Sequence, residues 1–177
     1  MTPIQIMIDI ETLGVTAGAA ILEIAAATFR FEDASDGWDW FHVEIDLLSS
    51  LAAGMTVDAG TAAWLLKTGF AGNLRGRPLG NAIAALQVWL GERATDGVTV
   101  WAWGMDFERK MIEGACLAVK MEFPWSYFRS ADARTVWNMA FPGKRHGPRK
   151  HRAKEDVMDQ IIDLRAAFSN LPSPTNA

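Results

Sequence analysis

At 177 residues, half of them apolar and about a fifth charged, the chain has the make-up of one globular domain and not that of a disordered, aromatic-poor one. Its single cysteine, Cys116, excludes an intrachain disulfide and leads us to expect a reducing cytoplasm, while Asp9 and Glu11 interrupt the first apolar run, so neither a leader nor a membrane span is expected. The formal net charge of −4 speaks against a uniformly basic nucleic-acid binder, yet six of the 17 Lys and Arg residues (Lys144, Arg145, Arg149, Lys150, Arg152, Lys154) fall in the eleven positions from Lys144 to Lys154.

Ile4 to Ile10 is short, rich in isoleucine and followed by Thr-Leu-Gly, which predicts a central strand running into a loop. After a glycine-containing turn at Gly14 to Gly18, the apolar stretch from Ala20 to Phe31 predicts a second strand. Trp38 to Ile45 alternates after the polar Glu32 to Gly37 turn and predicts a third, antiparallel strand, so the first quarter reads as a β-meander. Thr61 to Leu66 and Leu79 to Leu90 follow helical spacing, the second through Ile83, Leu86 and Leu90, with a loop containing Gly69, Gly72, Gly76 and Pro78 between them. Val98 to Trp103 predicts a fourth strand, and Phe107 to Val119 a helix with Met111, Ile112, Ala115 and Val119 on its apolar stripe. A short strand near Trp125 to Phe128, a helix from Asp132 to Ala140 with Asp132 as N-cap, and a loop of glycine, proline and basic residues from Pro142 to Lys150 are expected next. The spacing of Val157, Ile161, Leu164 and Phe168 predicts a last helix from about Ala153 to Phe168. Residues 170–177, with two prolines, predict a frayed tail beyond a single domain of residues 1–169. Three strands, then helices alternating with two more strands, predict an α/β fold: a mixed five-stranded sheet flanked by helices, of ribonuclease-H-like type.

Three groups of residues carry chemistry. Asp9 and Glu11 lie two apart at the end of a predicted strand, so both side chains project from one face. Burying two unpaired carboxylates is costly and a divalent cation compensates them, although a strand end with its acids in water accounts for the pair equally well. His151 stands five positions before Asp156 where the basic loop meets the last helix; alone it reads as a loop histidine, and Asp159 and Asp163 as a solvated stripe. In the turn from Trp103 into the helix at Phe107, Asp106 reads as N-cap and Glu108 as a first-turn acid complementing the helix dipole.

Taken together, Ile8-Asp9-Ile10-Glu11-Thr12-Leu13-Gly14, an acid in a strand-turn-helix context, and His151-Arg152-Ala153-Lys154-Glu155-Asp156 resemble the DEDDh 3′→5′ exonucleases in order, spacing and context from Ile4 to about Phe168. Ala19-Ala20-Ile21-Leu22-Glu23-Ile24 and Asp132-Ala133-Arg134-Thr135 resemble segments of the phage-type and exodeoxyribonuclease VIII-like branch and of the related RNase AS group. The resemblance implies an enzyme that releases 5′-mononucleotides from the 3′ ends of DNA or RNA, expected to be single-stranded. It implies two Mg2+ ions, with Mn2+ as substitute, anchored by Asp9, Glu11, Asp156 and a middle acid, and a neutral His151 that takes the proton from the attacking water. Thr12 and Leu13 are then expected at the terminal nucleotide, Phe107 against a base, and Lys150 and Arg152 on phosphates. Core packing for Leu13 and Phe107, and a merely solvated loop for the basic residues, are the competing readings. Relatives that pair make a homodimer an expectation, and the alternative function is a nuclease fold that binds nucleic acid without cutting it.

The middle motif departs from the family pattern, in which an aspartate follows an aromatic residue and apolar residues come three and four positions later. Glu108 has that register, with Phe107 before it and Met111 and Ile112 after it, but is one methylene longer. Asp106 has Arg109 and Lys110 at those offsets and is the alternative to Glu108 as third ligand. Trp103 stands where relatives often have a small polar residue.

Overall fold

The computed structural model describes residues 3–32, 38–68, 75–93 and 97–172; Gly37, Gly69, Gly72 and residues 173–177 of the expected turn, loop and tail lie outside that set. Three strands come first, β1 (Gln5–Thr12), β2 (Ile21–Phe29) and β3 (Trp40–Glu44), and pair as an antiparallel meander. Helices α1 (Leu47–Ala52), α2 (Ala59–Lys67) and α3 (Leu79–Arg93) follow, then β4 (Val100–Ala102), α4 (Met105–Ala118), β5 (Ser130–Asp132), α5 (Ala133–Ala140) and α6 (Ala153–Asn170). The strands form one five-stranded sheet in the order β3-β2-β1-β4-β5, with β4 parallel to both β1 and β5. This is the expected mixed α/β sheet.

β1 is central and buried along its whole length, which is why it reads as a continuous apolar run. Its two faces serve two cores. Ile6, Ile8 and Ile10 pack with the apolar stripes of α3 and α4, among them Ile83, Leu86, Met111 and Ile112. Met7 packs on the other face with Trp101, Trp103, Trp137 of α5 and Val157, Ile161 and Leu164 of α6. Each such fully buried aliphatic side chain is worth ~1.5–3 kcal/mol relative to exposure. Because side chains alternate along a strand, Asp9 and Glu11 fall on the α5/α6 face with Met7.

Three expectations are corrected and one helix is new. The first strand does not stop at Ile10 but pairs with β2 through Thr12, with a register shift between Glu11 and Thr12. The fifth strand is not at Trp125 to Phe128: Trp125 is buried and donates its indole N–H to Ser130 Oγ at 3.0 Å, Tyr127–Arg129 is a single 3-10 turn, and the strand follows it at Ser130–Asp132. Aromatic strand propensity misleads there because the rings serve packing and exposure, not a ladder. α1 has no counterpart in the sequence reading; Asp46 caps it by accepting the Ser49 N–H at 2.7 Å. Finally, Asp106 is not the N-cap of α4. The helix begins two residues earlier than expected, its N-cap is Gly104, and the free Met105 N–H is taken at 2.9 Å by Asp132 Oδ2, whose Oδ1 caps α5 as expected.

Candidate active site

The C-terminal ends of the parallel strands β1 and β4 open onto a cavity of about 250 Å3, the place where an open α/β sheet presents binding groups. β1 brings Asp9 and Glu11 there, and the register shift after Glu11 lets Thr12 line the same space. β4 runs through Gly104 into α4, whose first turn carries Phe107 and Glu108 to the cavity. α6 contributes Asp156 and, four residues on and therefore on the same helical face, Gln160. Gln160 Nε2 donates to Asp9 Oδ1 at 2.6 Å.

His151 is held by the acid it precedes. Asp156 Oδ1 accepts the Lys150 N–H at 2.8 Å and Oδ2 accepts the His151 N–H at 3.0 Å. The short loop is thereby folded back with His151 at φ 55°, a left-handed conformation uncommon outside glycine. One donor atom each of Glu11, His151 and Asp156 lie within 4.8 Å of one another. Trp64 of α2 meets the His151 ring edge-on, centroids 4.6 Å apart, and lines the cavity beside it. Trp103, Arg134 and Arg149 line it as well.

The four carboxylates are between 3% and 8% exposed. Burial, with the Asp156 charge adding to it and the Gln160 hydrogen bond opposing it, pushes Asp9 up to about 7. Burial and then the charges of Asp9 and Asp156 push Glu11 up to about 9. Glu108 is held well above the ordinary carboxylate range, first by burial and next by Asp9, and its Oε2 is buried without a hydrogen-bond partner. Acids that hold back one another's ionisation in this way are what a multivalent cation reverses. Carboxylate oxygens are donors suited to Mg2+ or Mn2+.

A further buried acid lies beside the site. Glu23 is directly opposite Glu11 in the β1–β2 register, binds His42 Nε2 at 2.6 Å through Oε1, and accepts the Ala153 N–H at 3.3 Å through Oε2. The Glu23 hydrogen bond holds the His42 pKa above its ordinary value. Glu23 ties the start of α6 to the sheet two residues after His151.

Residues 4–164 match the family model described as the 3′-5′ exoribonuclease Rv2179c-like domain. The chain belongs to this family. Within the Rv2179c-like family, its class is that of 3′-5′ exonucleases, and its fold is shared with solved nucleases. It superposes on the zinc-bound E. coli exonuclease I complex with single-stranded DNA with a TM-score of 0.68 at 13% identity, covering 96% of this chain and 41% of that one. Exonuclease I bound to a 5cy-dT13 oligonucleotide gives 0.69 at 12% identity, with 96% and 41% covered. The nuclease domain of 3′hExo, a DEDDh family member bound to rAMP, gives 0.65 at 11% identity, covering 94% of this chain and 91% of that domain. The chain thus spans less than half of exonuclease I but nearly the whole of the 3′hExo nuclease domain. A search of curated protein sequences gave no match.

Of the residues singled out from this Rv2179c-like sequence, the structure gathers Asp9, Glu11, Thr12, Phe107, Glu108, His151 and Asp156 around one cavity. Asp106 is not among them; it is exposed and faces a separate cavity with Arg109 and Tyr127. Leu13 is 7% exposed and packs in the α3/α4 core. The Lys150 side chain pairs with Asp159 at 3.4 Å and does not line the cavity, and Arg152 sits at the N-cap of α6, its charge acting on Glu11. Asp159 and Asp163 are not a free solvated stripe, since Asp163 pairs with Arg149 at 3.0 Å. Gln160, Trp64 and Arg134 were not anticipated as site residues. Helical spacing from Asp156 signals Gln160; nothing in the sequence signals Trp64.

Proposed function

We propose that this domain hydrolyses the terminal phosphodiester at the 3′ end of single-stranded RNA with magnesium, releasing 5′-mononucleotides. The observation that carries the reading is the convergence of four buried acids from β1, α4 and α6 with His151 on one open cavity. RNA is favoured over DNA by the description of the matched family model. The unpartnered Glu108 Oε2 and the raised carboxylates fit a site that is completed by cations, with Asp9, Glu11, Glu108 and Asp156 holding two Mg2+ ions, or Mn2+ in their place.

Divalent ions bound there supply the activation of water and the neutralisation of charge on the leaving 3′-oxygen. The protein's own groups do the rest. His151, its backbone fixed by Asp156 and its ring braced by Trp64, accepts the proton of the attacking water at an imidazole nitrogen. Gln160 keeps Asp9 oriented and favours its charged form. Thr12 and Phe107 meet the terminal nucleotide, Phe107 by stacking on its base. Basic residues from Lys144 to Lys154 attract the strand, Arg145 from an exposed position. The test is release of 5′-mononucleotides from a labelled RNA oligomer upon magnesium addition; retention of the strand without cleavage would instead support a binding module.

A further inference from the structure

Two arginines line the acid cavity, and the structure treats them differently. Arg149 is committed: its guanidinium lies over the Trp103 ring, 4.3 Å from the centroid, and pairs with Asp163 at 3.0 Å. Arg134 is not. It stands exposed in the first turn of α5, where a cation opposes the helix dipole, and among the described residues it has no hydrogen bond and no ion pair. Its reach toward the acids is set by Gly104: a Cβ there would lie 2.8 Å from Arg134 Nη2 and 3.6 Å from Glu108 Oε2. Any larger residue would displace the guanidinium from the space it shares with Glu108.

We infer that Arg134 binds a phosphate of the nucleic-acid strand at the Glu108 side of the cavity, as a substrate-positioning residue outside the acid-and-histidine set. A planar donor on the rim of a carboxylate cluster that meets Glu108 through its charge alone, against the helix dipole and without a hydrogen bond or ion pair among the described residues, has its donors left over for a ligand. A phosphodiester supplies the missing partner and suits the guanidinium fork. Gly104 keeps open the gap through which Arg134 approaches. The inference rests on the nuclease reading above.

The experiment uses the full chain and a short 5′-fluorescein-labelled uridylate oligomer. Binding is followed by anisotropy over a range of salt in the Asp156→Asn background, which prevents turnover, and cleavage is followed in the otherwise native chain. Arg134→Gln is expected to weaken binding on the order of tenfold and to reduce the slope of log affinity against log salt by about 0.7, the share of one phosphate contact on a single strand. Its KM rises more than its kcat falls, its melting temperature is unchanged, and Arg134→Lys restores the salt slope. Native affinity and salt slope in Arg134→Gln, alongside an active wild-type chain, would overturn the assignment of Arg134 alone. Absence of cleavage by the wild-type chain would overturn the nuclease reading and this inference with it.

Discussion

Gln160 of α6 donates its side-chain amide to Asp9 of β1 at 2.6 Å, and at 2% exposure it does so out of reach of solvent. The bond opposes the burial that pushes the Asp9 carboxyl up to about 7. Gln160→Leu removes the donor and leaves the Asp9 charge without that support, which is worth ~1.5–3 kcal/mol for a hydrogen bond to a charged group. We expect the magnesium concentration for half-maximal cleavage to rise about tenfold or more, with the rate recovered at high magnesium. An unchanged magnesium dependence would show that Gln160 only fills space.

The metal-free domain should lose stability as pH rises. Asp9 is raised from 3.8 to about 7 and Glu11 from 4.5 to about 9, so between those limits the folded state holds protons that the unfolded chain has released. Stability therefore falls with pH through both windows, and Glu108 acts in the same direction. Thermal unfolding with chelator is expected to give a Tm that declines from about pH 5 to about pH 9. Asp9→Asn or Glu11→Gln flattens that decline, and manganese raises the Tm more at the high end than at the low end. A Tm that climbs over this range would contradict the unpaired acid cluster.

The third acid can be assigned by three substitutions. Glu108→Gln should remove most activity, since it deletes a buried charge in the cavity, whereas Asp106→Asn should leave activity within about twofold because that side chain is exposed and lies outside it. Glu108→Asp should retain measurable cleavage, reduced to the extent that the shorter carboxylate falls short. The reverse ranking of Glu108→Gln and Asp106→Asn in a kcat assay would transfer the role to Asp106.

His151→Ala should lower kcat on the order of 10²- to 10⁴-fold while oligomer affinity changes little, as expected for loss of a general base. Trp64→Leu should lower it much less, because the edge-on ring contact with His151 is worth only ~0.5–1.5 kcal/mol of orientation. Separate measurement of kcat and Kd distinguishes the two, and a native rate in His151→Ala would leave the imidazole without a part in catalysis.

How far the site could be read in advance depended on whether each residue's partners are near in sequence. Asp9 and Glu11 were legible because acids two apart in an isoleucine-rich strand share a face, and Glu108 because Met111 and Ile112 fix which side of α4 turns inward. His151 and Asp156 were legible only through the resemblance of the whole motif set, since their spacing alone reads as a loop histidine, and nothing in it signals that Asp156 folds the loop through two backbone amides. Trp64 escaped because α2 reaches the cavity only through the tertiary fold, and a tryptophan on a short helix looks like any packing residue. For Leu13 the sequence left substrate contact and core packing open, and it packs in the α3/α4 core, while the Lys150 side chain, expected on a phosphate, pairs with Asp159. The sheet itself was legible except at β5, where three residues of strand carry no alternation and the nearby aromatics point to the wrong segment. Asp132 was legible as a cap, and its second oxygen on Met105, which orients the helix bearing Glu108, was not.

The most direct test of the central claim is the product released from a 3′-labelled single-stranded RNA oligomer by the wild-type chain and by Asp156→Asn, each with magnesium and with chelator. Asp156 is the residue through which the acid cluster and the His151 loop are joined, at 2.8 Å and 3.0 Å to the loop amides. A magnesium-dependent nuclease of this design gives labelled 5′-mononucleotide from the wild-type chain with magnesium only, and none from Asp156→Asn, which still folds and binds the strand. Release of mononucleotide by Asp156→Asn at the wild-type rate, or by the wild-type chain in chelator, would contradict it.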